Sequence, residues 1–399
     1  MGGQTIHVYP SLEKLQAQLD EKGVSQVARD LGISRSTLSD HAQKHGLNTA
    51  KKPTAKPPSP QPEAREEVSE LEIAQQRIKE LESALRKDRK DNVYDERVAR
   101  AVEDAAGRCK SKYSPQVIPK SHRKKTEHVF VLDWSDLHAG EVVSLEETGG
   151  LNEYNWEIML KRQDRLREAL FSYQDNRPYP VRKLHVFALG DMLSGNIHGE
   201  LEATNEIPLA EATVQLGLDG AEWLESLTER FELIEFAGVV GNHPRAHKKP
   251  WAKQGYDNAD WTAYHVMATS LKRNKRISFD IPKANQHRVM VADRFANLLW
   301  HGDGVRSSMP GIPWGGVSRR VNALRNQYVS GGIPVDYFHN GHFHQANAVE
   351  QGRIIVNGSI KGVDEYSLKA FGGGQPPCQV LSTFHPKRGL TDVSFLECE

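Results

Sequence analysis

From residue 128 onward the chain repeats one unit, a short apolar run whose carboxyl end carries Asp, Asn or His. HVFVLDWSDLH, KLHVFALGD, FELIEFAGVVGNH, FANLLWHGDG and DYFHNGHFH all follow it, and amphipathic stretches near 155–173 and 212–230 separate the first three. Short apolar runs alternating with amphipathic helices specify an α/β fold, because strands buried on both faces need helices to cover them. In such folds ligands gather at the carboxyl ends of the strands. Those ends here hold side chains able to bind metal.

Read in order, the strand ends give Asp136 and His138 in SDLHAG, Asp191 in LGDML, and Asn242 and His243 in VGNHP. His301 in LWHGDG and His342 and His344 in NGHFH complete the set. The three cysteines, Cys109, Cys378 and Cys398, are too few and too scattered for a thiolate site or a disulfide framework. Any metal must therefore use His, Asp and Asn. The ordered pattern D-x-H, G-D, G-N-H, a lone His after an apolar strand, then G-H-x-H resembles the calcineurin-like metallophosphoesterase superfamily over residues 128 to about 362.

The resemblance implies an α/β fold of metallophosphoesterase type, a two-sheet sandwich flanked by helices, and two divalent metal ions. Asp136, His138, Asp191 and His344 would hold one ion, and Asp191, Asn242, His301 and His342 the other, so that Asp191 is the bridge. His243 would stay off the metals and face the substrate, protonating the leaving oxygen or stabilising phosphoryl charge. The chemistry suits these residue types: two ions about 3.5–4 Å apart supply both a nucleophile at neutral pH and positive charge opposite the phosphoryl oxygens. Imidazole and carboxylate favour Mn, with Fe or Zn as alternatives, over Mg. Gly190, Gly241 and Gly341 each precede a ligand, where a missing Cβ lets backbone approach the site. His342 and His344 are expected to alternate along an extended loop and point the same way, with Phe343 pointing away. Two positions depart from the family pattern. Pro244 replaces the acidic residue that orients the histidine in many relatives, and Ser194 stands where many have Asp, leaving Asp303, His247 or Glu200 as substitutes. His339 is expected in the core or behind the ligands.

Ahead of this region, VSQVARDLGISRSTLSDHAQKHG resembles a helix-turn-helix DNA-binding motif over residues 1–48. Val27, Ala28 and Leu31 form one apolar face and Ile33, Leu38 and Ala42 the next, and Gly32 turns the chain. Arg35, Ser36, Thr37 and Ser39 would then face the major groove. Residues 49–64, rich in Pro and Lys, read as an extended linker. A charged helix over 65–108, with Leu71, Ala74, Ile78, Leu81 and Leu85 at coiled-coil spacing, is a candidate for homo-oligomer contacts through 65–90. A basic connector, 109–127, leads into a catalytic domain over 128–399.

Lys plus Arg and Asp plus Glu balance at 52 each, so net charge announces no polyanionic partner. No apolar run is long enough to span a bilayer and the N-terminus has no signal-like pattern, so a cytoplasmic protein without a membrane partner is expected. Basic residues near the site, Arg245, Lys248 and Arg306, are candidates for substrate binding. A two-metal phosphodiesterase tethered to a DNA-binding module reads first as a DNA-directed nuclease. A phosphatase or small-molecule phosphodiesterase with a DNA-targeting module is the alternative, and a DNA-binding regulator with an attenuated catalytic domain comes third.

Overall fold

The computed structural model describes residues 9–49, 100, 126–249, 253–305 and 311–399. Almost all of the expected linker, charged helix and basic connector lies outside these residues, as does Arg306. The chain divides into two compact units, residues 1–86 and 87–399. No described helix is long and apolar enough to cross a membrane.

In the larger unit the first strand, β1, spans His128–Trp134, followed by α4 Trp156–Asp175, β2 Val181–Ala188, α5 Gly199–Thr204, α6 Leu209–Ser226 and β3 Leu233–Gly238. Then come α7 Ala259–Ser270, β4 Ile277–Asp280, β5 Gln286–Val291, β6 Phe295–Trp300, α8 Trp314–Ser330 and β7 Tyr337–Asn340. Strands β8 Asn347–Val349 and β9 Ile354–Val356, helix α9 Glu365–Phe371, and strands β10 Cys378–His385 and β11 Gly389–Glu397 complete it. Six strands form one sheet in the order β11-β10-β1-β2-β3-β4, and five form a second in the order β5-β6-β7-β9-β8. Strands β1 to β4 run parallel, as do β6, β7 and β9, so the site-bearing ends of each sheet point one way.

Period-two alternation along β1 explains the layering. Phe130, Leu132 and Trp134 face α4, α6 and α7 in the main core, where they meet Met159, Leu166, Leu216, Leu224 and Met267. Val129 and Val131 face the other way, into a layer between the sheets with Phe187, Leu189, Val239, Leu299 and Phe384. Behind the second sheet, Leu298, Trp300 and Phe338 pack on Val317, Val321 and Leu324 of α8. The expected two-sheet sandwich with helices outside is the fold observed.

The described residues of the smaller unit form three helices, α1 Leu12–Lys22, α2 Val24–Asp30 and α3 Arg35–Lys44. Val27, Ala28, Leu38 and Ala42 are buried as the sequence pattern requires, and Leu15 and Leu19 of α1 close the core. Gly32 takes φ +66° at the turn between α2 and α3, a left-handed conformation that favours glycine. The Ser34 hydroxyl caps α3 by accepting from Thr37 N at 3.0 Å. Ser36 Oγ and Thr37 Oγ1 gather on the same hydroxyl, at 2.8 and 2.7 Å. Arg35 and Ser36 are exposed, and Thr37 and Ser39 half-buried.

His185 on β2 is fully buried, and neither ring nitrogen makes a hydrogen bond. Burial drives its pKa down from 6.5 to about 3. Between these values the unfolded chain holds a proton that the native chain lacks. Stability therefore falls as pH drops through that window, by about 1.4 kcal/mol per pH unit for this group. His185→Leu should flatten this part of the stability profile relative to the parent, as read from denaturant midpoints between pH 7 and pH 4.

Candidate metal centre

The loops that leave β1 and β2 are zipped together by backbone hydrogen bonds: Asp136 N donates to Gly190 O, His138 N to Asp191 O and Ala139 N to Met192 O, at 2.9–3.0 Å. This places Asp136, His138 and Asp191 side by side. A Cβ added to Gly241 would stand 2.1 Å from Asp191 Oδ1, and one on Gly341 2.3 Å from Asp136 Oδ2. Glycine is thus required where the loops from β3 and β7 press against the two carboxylates. Those loops also supply donors, His243 N to Asp191 Oδ1 at 2.8 Å and His342 N to Asp136 Oδ1 at 2.9 Å.

Three overlapping groups of ligand atoms result, each within 4.8 Å: Asp136, His138 and His344; Asp191, His301 and His342; and His138, Asp191 and His243. His138 Nε2 and His344 Nε2 face each other at 3.0 Å. His301 Nε2 lies 3.0 Å from both Asp191 Oδ2 and Asn242 Oδ1, while its Nδ1 meets Leu189 O at 2.7 Å. The structure thus brings together all eight residues singled out at the strand ends. It corrects the extended loop expected at 342–344, because His342 and His344 have φ of 74° and 52°. Left-handed turns aim the two rings into the site. Asp136, His138 and Asp191 share that conformation, with φ of 50–54°, which costs non-glycine residues of order 1–3 kcal/mol each and clusters at functional sites.

Convergent imidazole nitrogens and carboxylates are a donor set that suits a divalent metal ion. Burial favours a neutral His301 ring, but Asp191 outweighs it and lifts the pKa to about 10; burial and His301 push His342 down to about 4. A cation bound between Asp191 and His301 would replace the proton held there.

Buried residues that the sequence patterns did not flag support the ligands. Ser135 Oγ donates to Asp136 Oδ2 at 2.5 Å and accepts from Asn357 Nδ2 at 2.9 Å, and Asn357 Nδ2 also donates to Gln379 Oε1. Asp260, at the start of α7, accepts from Met192 N at 3.1 Å and Gly241 N at 3.0 Å, tying the G-D and G-N-H loops together. Burial and the nearby Asp191 charge push its carboxyl up to about 7. Behind His138, Glu141 Oε2 lies 3.4 Å from Nδ1, and Glu141 Oε1 accepts from Lys361 Nζ at 2.8 Å. Lys361 also binds Asp364, so this chain of charges is buried throughout.

The departures at Pro244 and Ser194 find their answer in the backbone, since His243 Nδ1 meets Ser194 O at 3.1 Å. His198 stands beside His243, with ring centroids 5.4 Å apart. His339 points away from the ligands to Asp133 Oδ1 and Asn297 Oδ1, both at 2.9 Å. The Arg245 guanidinium braces its own loop by donating to His247 O and Lys248 O. Lys248 is exposed.

No family model and no curated protein matches the chain. Among solved structures it overlaps an archaeal phosphodiesterase at 12% identity, covering 67% of this chain and 99% of that one with a TM-score of 0.31. Vps29 of Entamoeba histolytica complexed with zinc overlaps at 13% identity, covering 68% and 99%, with a TM-score of 0.27. An uncharacterised protein of Streptococcus pneumoniae described as a predicted phosphoesterase overlaps at 12% identity, covering 67% and 88%, with a TM-score of 0.26. At such TM-scores these likenesses carry no weight in assigning an activity.

Asp260→Asn would turn an amide NH2 toward one of two backbone N–H donors, and should cost about 1–3 kcal/mol in denaturant unfolding. Glu141→Gln should weaken divalent-ion binding by about 10–100-fold, measured by titrating the metal-free protein calorimetrically.

Proposed function

We propose that the chain is a metal-dependent phosphoesterase and, more specifically, a DNA-directed phosphodiesterase. The observation that carries this reading is the pair of ligand groups, Asp136–His138–His344 and Asp191–His301–His342, with His243 directly beside them. Two divalent ions, Mn first among the candidates, would supply a water nucleophile and positive charge opposite the phosphoryl oxygens. Asp191, with one oxygen toward His301 and a place in two of the groups, would be the carboxylate shared by the two ions. Asn242 Oδ1 completes the second set.

His243 holds the proton on Nδ1 against Ser194 O, which leaves Nε2 available to the substrate. From there it can hydrogen-bond the phosphoryl group or pass a proton to the leaving oxygen. The DNA assignment draws on the small three-helix unit, whose α2–turn–α3 segment carries Arg35, Ser36, Thr37 and Ser39 at or near the start of its second helix. Arg35 and Ser36 are the contacts nearest to hand, with Thr37 and Ser39 flanking them. Linking a DNA-binding unit to a hydrolytic one raises the effective concentration of substrate at the site. Residues 65–90 are the proposed place of self-association.

Hydrolysis assayed in parallel on single- and double-stranded DNA, RNA and chromogenic mono- and diesters tests the assignment. Mn-dependent DNA cleavage should appear with the intact protein and vanish in Asp191→Ala. His243→Ala should bind ions as the parent does yet lose about 10²–10⁴-fold in kcat. Rapid turnover of small phosphoesters with DNA left intact would instead favour the phosphatase or small-molecule phosphodiesterase. Absence of bound ions together with tight, sequence-specific DNA binding would favour the regulator.

A further inference from the structure

A cleft of about 250 Å³ opens directly from the Asn242 and His301 side of the metal centre. Its lining is dominated by polar and charged residues, which suits neither a lipid nor an apolar alcohol. Lys249, in the loop after Asn242 and His243, and Arg320, on α8, bring positive charge from two separate elements. Both are exposed and enter no ion pair among the described residues. Two acidic residues also line the cleft, Asp257, which lies 3.3 Å from His247 Nε2, and Asp303.

The lining also carries amides, among them Gln254, Asn285 and Gln286. Asn285 packs directly on the backbone of Gly255. A Cβ on Gly255 would stand 1.8 Å from Asn285 Oδ1, and Gln254 holds a left-handed φ of 55°. An amide offers a donor and an acceptor on one planar group, the pairing that the edge of a nucleobase requires. Trp300, which also lines the cleft and is 3% exposed, has an Nε1–H without a partner.

We propose that this cleft is a subsite for the nucleotide next to the scissile bond, its phosphate held by Lys249 and Arg320 and its base edge met by Gln254, Asn285 and Gln286. The inference rests on the phosphoesterase reading and deepens it: the second arm of the ester is a nucleotide of a nucleic-acid strand. A volume of about 250 Å³ is on the scale of one nucleotide.

Two measurements on the full-length chain decide the matter. With EDTA present, so that no ion contributes, thymidine 5′-monophosphate should bind the parent, and Lys249→Ala/Arg320→Ala should weaken it by about 10-fold or more, the loss expected for two charge-assisted contacts. With Mn²⁺ added, the same variant should lower kcat/KM for a 5′-phosphorylated dinucleotide about 10-fold relative to bis(p-nitrophenyl) phosphate, mostly through KM. Equal binding by parent and variant, no binding by either, or an equal loss on both substrates would overturn the subsite. Should neither ester be cleaved, the phosphoesterase reading fails on its own, and the EDTA binding result still decides whether the cleft takes a nucleotide.

Discussion

The candidate site depends on how one sheet is set against the other, and a buried polar contact between β1 and β7 helps to fix that setting. Asp133 of β1 meets His339 of β7 across the sandwich at 2.9 Å, and the far nitrogen of His339 meets Asn297 of β6. All three side chains are excluded from solvent, so an unmatched group here would cost about 1–3 kcal/mol, which selects one register over its neighbours. Burial pushes the Asp133 carboxyl above its ordinary range, while His339 pulls it back. Three residues further along the chain in each case, just past the strand ends, lie Asp136 and His342, and these meet again, His342 N donating to Asp136 Oδ1. The inter-sheet contact and the site contact thus share one offset. A shift of either strand would break both.

Holding Asp136 and Asp191 inside the fold is the second constraint. A buried carboxylate is tolerated only when it is paired or richly hydrogen-bonded. Here Asp191 has a backbone N–H and the His301 ring, and Asp136 has a backbone N–H and the Ser135 hydroxyl. Five left-handed residues make these contacts possible. Local strain and buried charge oppose folding, and divalent ions bound to the same atoms would stabilise the native state against both.

Strand ends are legible in the sequence because an apolar run followed by a polar cluster needs no partner to be recognised. Asp136, Asp191 and His301 announce themselves in this way. Asp260 does not, since DNADW reads as the start of a helix, and nothing local says that its carboxylate reaches back to Gly241 and Met192. Lys361 and Glu141 are equally silent, being 220 positions apart in the chain and joined only by the fold. The conformation at 342–344 is hidden from the sequence for a related reason. Alternation is a rule for strands, and β7 ends at Asn340, so the next residues obey turn geometry instead. Helix α1 is not legible in the sequence because Leu15 and Leu19 acquire a face only once Val27 and Leu38 pack against them.

Pro244 is where the sequence departed from its nearest pattern, and the fold gives it a different use. Its carbonyl accepts from Ala259 N at 2.9 Å, tying the G-N-H loop to the first turn of α7, the same turn that sends Asp260 back to Gly241. The loop is therefore held from α7 at two points on either side of His243. With the backbone so fixed, an acidic neighbour is not needed to aim the ring, and the Ser194 carbonyl suffices to hold the Nδ1 proton. A carbonyl orients an imidazole as a carboxylate does, but it carries no net charge and stabilises the imidazolium less. His243 is accordingly set to present a lone pair at Nε2.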